Sequence, residues 1–289
     1  MENLRQRIHT LVEALPYIQR FAGTSMVVKC GGRAMEEDKL KRAVMLDIAL
    51  LHNVGINPIV VHGGGPEIDR WMAKLGMEPK FEGGLRVTDE AAMEVVEMVL
   101  CGKVNKDLVA TLVGLGVRAL GLSGKDGGLF KARLRKGKVD LGRVGEITEV
   151  DTGVLEAVVG ARLLPVIATV CADEQGRALN VNADHAAGVL AAAVRAEKVI
   201  FLTDVAGVRR EAKRPDTVVS RLSVRQAQEL LRTGSAEGGM LPKLEASIHA
   251  VREGVKAAHI IDGTSPHSLL MEVFTDTGVG TMITARAEG

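Results

Sequence analysis

Lys29 stands just ahead of a glycine pair in MVVKCGG (26–32), and Lys243 follows another pair in GGMLPKLEASIHAV (238–251). A third glycine run ends the apolar stretch IVVHGGGPE (59–67) and places Pro66 and Glu67 as a first helical turn. Glycines where a strand gives way to a helix let a ligand approach backbone N–H groups, and the helix N-terminus that follows favours an anion. A tight turn without a ligand is the alternative for any single Gly-Gly pair. Two such turns, one beside a cation, favour an anion site. LNVNAD (179–184) adds Asn180, Asn182 and Asp184 at alternating positions, which an extended segment puts on one side, ahead of an alanine-rich helix. The alternative for Asp184 is that it caps that helix. GGLRVTDEAA (83–92) sets Arg86 in a loop before a helix capped by Thr88 or Asp89, and a guanidinium beside a glycine pair suits a carboxylate.

Two lysines, several glycine amides and an aspartate, without a His–Ser or His–Cys pairing at recognisable spacing, make a poor hydrolase. They suit phosphoryl transfer, where catalysis is mostly positioning and charge neutralisation. The apparatus is not a P-loop: GLSGKD (121–126) contains Gly-Lys, but Asp126 follows and the spacing is wrong. GLGVRA (114–119) fits G-x-G-x-x-A but leaves a helix and enters a strand, opposite to the dinucleotide fingerprint, and is read as a helix C-cap.

The elements that must hold these residues alternate almost throughout. Strands are expected at 26–30, 56–61, 118–124, 163–168, 198–204 and 257–263, with helical patterns between, including 37–54, 67–76, 89–116 and 182–197. The strands are short, β-branched and apolar on both faces, which predicts an α/β fold: a mainly parallel central sheet in a three-layer αβα sandwich. The charged, alternating segment 129–149 reads as a hairpin excursion. Residues 1–20 form an extra amphipathic helix with Leu4, Ile8, Leu11, Val12 and Leu15 on one side, broken or kinked by Pro16. The 289 residues allow one large domain or two moderate ones. A net charge of +1 and 2% aromatic content argue against nucleic-acid binding. The longest uncharged apolar run, 186–194, is far short of a membrane span, and MENLRQRIHT lacks the apolar core of a signal peptide. Cys30, Cys101 and Cys171 are widely spaced and read as reduced thiols of a cytoplasmic protein.

MVVKCGG, IVVHGGGPEI, GLRVTDEAAMEVVEMVL, GKVNKDLV, GLSGKDGGL, LNVNAD, FLTDVAGV, GGMLPKL and GVGTMI resemble, in order and spacing over essentially the whole chain, the acetylglutamate kinases of the amino acid kinase family. VKxGG and TDVxG mark the broad family; GLRVT and NVNAD narrow it. The resemblance implies transfer of the γ-phosphoryl of MgATP to the side-chain carboxylate of N-acetyl-L-glutamate for arginine biosynthesis. The acceptor oxygen is already ionised, so no general base is needed. It implies an amino-acid lobe (26–193), an ATP lobe (194–289) and an N-terminal helix (1–25) for assembly. Lys29 and Lys243 would stabilise the moving phosphoryl group, with Asp184 orienting them. Gly31, Gly32, Gly64 and Gly65 would offer amides; Arg86 and Asn180 would bind acetylglutamate. Asp204, Val205, Ala206, Gly207, Val208 and Arg209, with Ser235, Ala236 and Glu237, would line the nucleotide. Mg2+ would be held mainly by the nucleotide phosphates.

The helix with ALPYI (14–18), Lys198 and HSLLMEVFTDTGVGTM (267–282) resemble the arginine-inhibited subgroup, in which such helices interlace dimers into a hexameric ring. Tyr17, Lys198, His267, Glu272 and Gly278 would then form the arginine site, against the reading of Tyr17 and His267 as packing residues. Some members also bind a nitrogen-signalling protein, which this sequence leaves open. The rivals are another amino acid kinase, acting on glutamate or aspartate, and a non-catalytic arginine sensor on the same fold. Arg33 and His185 depart from the family pattern.

Overall fold

The computed structural model describes residues 2–210, 214 and 217–286. Among these residues, eight strands form the central sheet: β1 (Ser25–Cys30), β2 (Asn57–His62), β5 (Ala119–Ser123), β8 (Leu164–Ala168), β11 (Lys198–Thr203), β12 (Arg221–Ser223), β13 (Ala257–Asp262) and β14 (Thr281–Thr284). Their order is β12-β14-β13-β11-β1-β2-β8-β5, and every pairing is parallel except β13 with β14. The expected strands are all present, within a residue or two of their ends. β6 (Phe130–Leu134) and β7 (Val144–Val150) are the expected antiparallel hairpin. With β9 (Val170–Ala172) and β10 (Ala178–Val181) they close a small barrel that the sequence pattern did not announce.

Alternation along the strands sorts two cores. Met26, Val28 and Cys30 of β1 face one apolar cluster with α2 (Asp38–Asn53). Val27 faces the other, with residues of α7 (Ala183–Ala193) and α9 (Met240–Arg252). Lys29 shares the face of Val27, so the strand period alone directs it toward α7 and α9. β1 and β2 pair with Cys30 opposite His62, which sets the two glycine turns side by side at the carboxyl edge of the sheet.

The expectations for 1–20, 83–92, 89–116 and 178–184 need correction. α1 (Glu2–Phe21) continues through Pro16 for five more residues instead of breaking there. Its Ile8, Val12 and Leu15 are exposed, while the side chains of Leu4 and Leu11 lie outside the described residues. Arg86 is in a strand, not a loop: β3 (Lys80–Glu82) and β4 (Leu85–Val87) form a hairpin turned by Gly83 and Gly84, both with positive φ (55° and 79°). The helical stretch 89–116 changes gauge. α4 (Glu90–Glu97), capped by Asp89, widens into a π-helix over Met98–Val104 and returns to α as α5 (Asn105–Gly114). The extended run carrying Asn180 ends at Asn182, which is itself the cap of α7, so Asp184 lies in the first helical turn.

Candidate active site

Asn182 accepts from the backbone N–H groups of Asp184 and His185 at 2.9 and 3.1 Å. With the cap supplied there, the Asp184 carboxylate is left for other partners. Its Oδ1 meets Lys29 Nζ at 3.0 Å and its Oδ2 accepts from Lys243 Nζ at 3.2 Å, all three side chains being largely buried. Burial alone would push the Asp184 carboxyl up, but the Lys29 and Lys243 ammoniums outweigh it and hold it below the usual carboxylate range. Burial lowers the Lys243 pKa, the Asp184 charge opposes this, and the Lys29 charge adds to it. The arrangement is two cations on one carboxylate, a surplus of one positive charge, with the Lys29 ammonium lying against Gly31. Lys243 also donates to Gly239 O at 3.1 Å.

Gly31 makes this possible. A Cβ there would lie 2.6 Å from Lys29 Nζ, in the space the ammonium occupies. At Gly64 a Cβ would lie 2.7 Å from Leu100 Cδ2. Gly63, Gly64 and Gly65 line two adjoining cavities. One, of about 160 Å³, is also lined by Arg86, Asn180 and Asn182. The other, of about 310 Å³, reaches Gly31 and Gly32. Arg86 is buried, pairs with Asp69 at 2.7 Å, donates to Gly65 O at 3.3 Å and stacks on Phe81 with its guanidinium carbon 4.7 Å from the ring centre. The Thr88 hydroxyl donates to Arg86 O at 2.9 Å and accepts from Asn180 Nδ2 at 3.1 Å, tying together two residues on separate elements.

Asp204 follows β11 and is exposed; its charge counters the depression of Lys243. Gly207 has φ 153°, and a Cβ there would meet Thr281 Oγ1 at 2.6 Å. Val208 donates to that hydroxyl at 2.8 Å and is buried in the same apolar cluster as Ala236. The segments 204–209 and 235–237 thus each put one residue, Val208 and Ala236, into the same core. Val205, Arg209 and Ser235 are half-buried, and Ala206 and Glu237 exposed.

A separate cavity of about 300 Å³ is lined by Tyr17, Arg20, Phe21, Lys198, His259, Glu272 and Gly278, among others. Tyr17, Lys198, Glu272 and Gly278 are brought together as expected. His267 is not among the lining residues: it caps α10 (Ser268–Val273) and binds Asp47 Oδ1 through Nδ1 at 2.6 Å. The histidine of this cavity is His259, on β13. Its Nε2 accepts from Lys198 Nζ at 3.0 Å, and its Nδ1 donates to Glu272 Oε1 at 2.5 Å. Val279 N donates to Glu272 Oε2 at 2.6 Å, and Gly278, at φ 61°, has no room for a Cβ beside that carboxylate. Burial would raise the Glu272 pKa, but the bond from His259 and the other partners bring it below the usual range.

Residues 24–262, including both glycine turns, Asp184 and Lys243, match the amino acid kinase family. The chain belongs to that family. It is 53% identical over 277 residues to a protein named acetylglutamate kinase from Thermosynechococcus vestitus, covering 96% of this chain and 94% of the relative. A protein of the same name from Synechocystis sp. is 52% identical over 284 residues, covering 98% and 95%. Among solved structures, an N-acetylglutamate synthase from Neisseria gonorrhoeae, complexed with coenzyme A and N-acetyl-glutamate, superposes with a TM-score of 0.85 at 30% identity. That match covers 97% of this chain and 64% of the synthase. A carbamate kinase from Giardia lamblia (TM-score 0.66, 16% identity) shares the fold.

Within this amino acid kinase framework, Arg33 turns outward, exposed, with its guanidinium 3.7 Å from Glu37. His185 is half-buried and its Nε2 has no hydrogen-bond partner among the described residues. Burial pushes the thiols of Cys30 and Cys171 up to about 12 and that of Cys101 to about 11, so none supplies a thiolate nucleophile near neutral pH. Sequence reasoning missed Thr88, Asp69 and His259. AHIID carried the one available signal for the last, a histidine inside an apolar strand.

Proposed function

We propose that this chain transfers the γ-phosphoryl group of MgATP to the side-chain carboxylate of N-acetyl-L-glutamate, forming N-acetyl-L-glutamyl 5-phosphate in arginine biosynthesis. The observation that carries it is the Asp184 carboxylate holding Lys29 and Lys243 on its two oxygens beside the glycine turns. Acyl phosphate formation brings two anions together, and two ammoniums preorganised in a dry site stabilise the charge on the moving group. The acceptor oxygen attacks phosphorus as the bond to the ADP oxygen breaks, and no proton need move.

Gly31, Gly32, Gly64 and Gly65 direct amides at the phosphoryl and acyl oxygens. Arg86 and Asn180 hold the amino acid in the 160 Å³ cavity. The segments 204–209 and 235–237 receive the nucleotide, dividing the chain into an amino-acid lobe (26–193) and an ATP lobe (194–289). Among the described residues, no group of three or more His, Cys, Asp or Glu side chains is placed to hold a metal ion. Mg2+ enters as part of MgATP, where it neutralises phosphate charge.

The cavity beside α1 supports feedback inhibition by L-arginine, whose guanidinium matches Glu272. The exposed Ile8, Val12 and Leu15 of α1 support an assembly through that helix, a homo-hexamer. ATP turnover measured with N-acetyl-L-glutamate, L-glutamate and L-aspartate, with and without L-arginine, tests the reading. Turnover with N-acetyl-L-glutamate alone, suppressed by arginine, is expected. Preference for an unacetylated amino acid contradicts it.

A further inference from the structure

The segment GKVNKDLV has no part in the chemistry above, yet its Asn105 is buried beneath the HGGG turn. Asn105 Nδ2 lies 2.9 Å from Val166 O, 3.2 Å from Leu122 O and 3.1 Å from His62 Nε2. Two of those neighbours are carbonyls and accept only, which assigns the nitrogen to this end of the carboxamide. Its oxygen accepts from Lys106 Nζ at 3.0 Å, in space that a Cβ at Gly121 would fill. The amide nitrogen cannot accept, so His62 Nε2 accepts from it, sharing the two amide hydrogens with the two carbonyls. The proton of the neutral ring is then on Nδ1, which lies 2.9 Å from Gly63 O and donates to it.

We infer that His62, with its tautomer set by Asn105, is a positioning residue that locks the Gly63–Gly64 peptide so that the Gly64 N–H faces the reacting oxygens. In a trans peptide the carbonyl and the next N–H point in opposite directions, and the chain has no cis peptide among its described residues. Holding Gly63 O against the buried ring turns the Gly64 N–H toward the cavities that Gly63, Gly64 and Gly65 line. That N–H has no intramolecular acceptor among the described residues. A peptide between two glycines is otherwise free to flip and present its carbonyl to an anion. His62 is fully buried, and burial lowers its pKa to about 4, with the Lys106 charge adding to the fall; the ring stays neutral and keeps one tautomer. The π-helix completes the device: Leu100 and Val104 pack against Gly64, and the helix returns to α geometry at Asn105.

This role rests on the phosphoryl-transfer reading, and the experiment separates the two. Imidazole ¹⁵N–¹H correlation spectra of the full chain are expected to show a pyrrole-type Nδ1 and a pyridine-type Nε2 for His62. The opposite tautomer overturns the inference whatever the reaction. In steady-state assays with MgATP and N-acetyl-L-glutamate, His62→Leu is expected to lose about tenfold or more in kcat while KM for MgATP stays within about twofold. His62→Asn, whose amide nitrogen takes the place of Nδ1, is expected to recover most of that loss. Wild-type kcat in a folded His62→Leu, or His62→Asn falling as far as His62→Leu, overturns it. Wild-type protein without N-acetyl-L-glutamate-dependent turnover overturns the assigned reaction, and the spectra alone then decide whether the peptide is locked.

Discussion

The ammonium of Lys29 fills the space where a side chain at Gly31 would begin, 2.6 Å from an added Cβ. Gly31 has extended backbone (φ −176°), so alanine meets no backbone strain there and the flexible lysine end gives way instead. Gly31→Ala is therefore expected to fold normally and to lower kcat on the order of 100-fold by moving one phosphoryl-stabilising charge. Thermal melting alongside kinetics checks this. A variant with unchanged melting and unchanged kcat contradicts the placement.

Arg86 is held by Asp69, Gly65 O and the Phe81 ring at once. Lysine keeps the charge but loses the fork and the stacking plane. Arg86→Lys is expected to raise KM for N-acetyl-L-glutamate about tenfold or more while leaving KM for MgATP nearly unchanged. Equal losses for both substrates would instead indicate collapse of the β3–β4 hairpin.

The histidine of the Tyr17–Glu272 cavity is His259, and His267 binds Asp47 on another element. His259→Ala is expected to weaken L-arginine inhibition by at least tenfold, since it leaves Lys198 and Glu272 without the ring between them. His267→Ala is expected to leave inhibition within about twofold. Inhibition curves of the two variants decide between the histidines, and loss of inhibition only in His267→Ala reverses the assignment.

Much of this site is present in local patterns. The strand period of MVVKCGG places Lys29 on the Val27 face, and Pro66 after a glycine run marks a helix start. Long-range partners are a different matter. A hydrophobic pattern reports which face is buried but not which helix covers it, so the meeting of Lys29 with Lys243 through Asp184 rested on resemblance. Capping stood as the alternative for Asp184 because Asn182 and Asp184 are both good cap residues, and only the backbone path decides between them. Arg86 was read into a loop because Gly83 and Gly84 mark a turn without telling how short the flanking strands are. His267 was named from the resemblance alone, and His259, inside an apolar strand, carries no local pattern that separates it from packing.

The pH dependence follows from the same three charges. Lys243, depressed below the ordinary 10.5 by burial, is charged below its own pKa and loses its proton as pH rises through it. The alkaline limb of kcat/KM is expected to fall below pH 10.5. Asp184, held below 3.8, stays ionised through the neutral range and contributes no acid limb there. Lys243→Arg keeps its charge at high pH, so its residual activity is expected to lose that limb. The same limb in both proteins would assign the titration to another group.

The most direct measurement is an experimental structure with MgADP, an aluminium fluoride mimic of the phosphoryl group and N-acetyl-L-glutamate. The account predicts both ammoniums, Lys29 and Lys243, within about 3 Å of the fluorides, with Asp184 still between them. Either lysine turned away into a different pocket while the mimic is bound would contradict it.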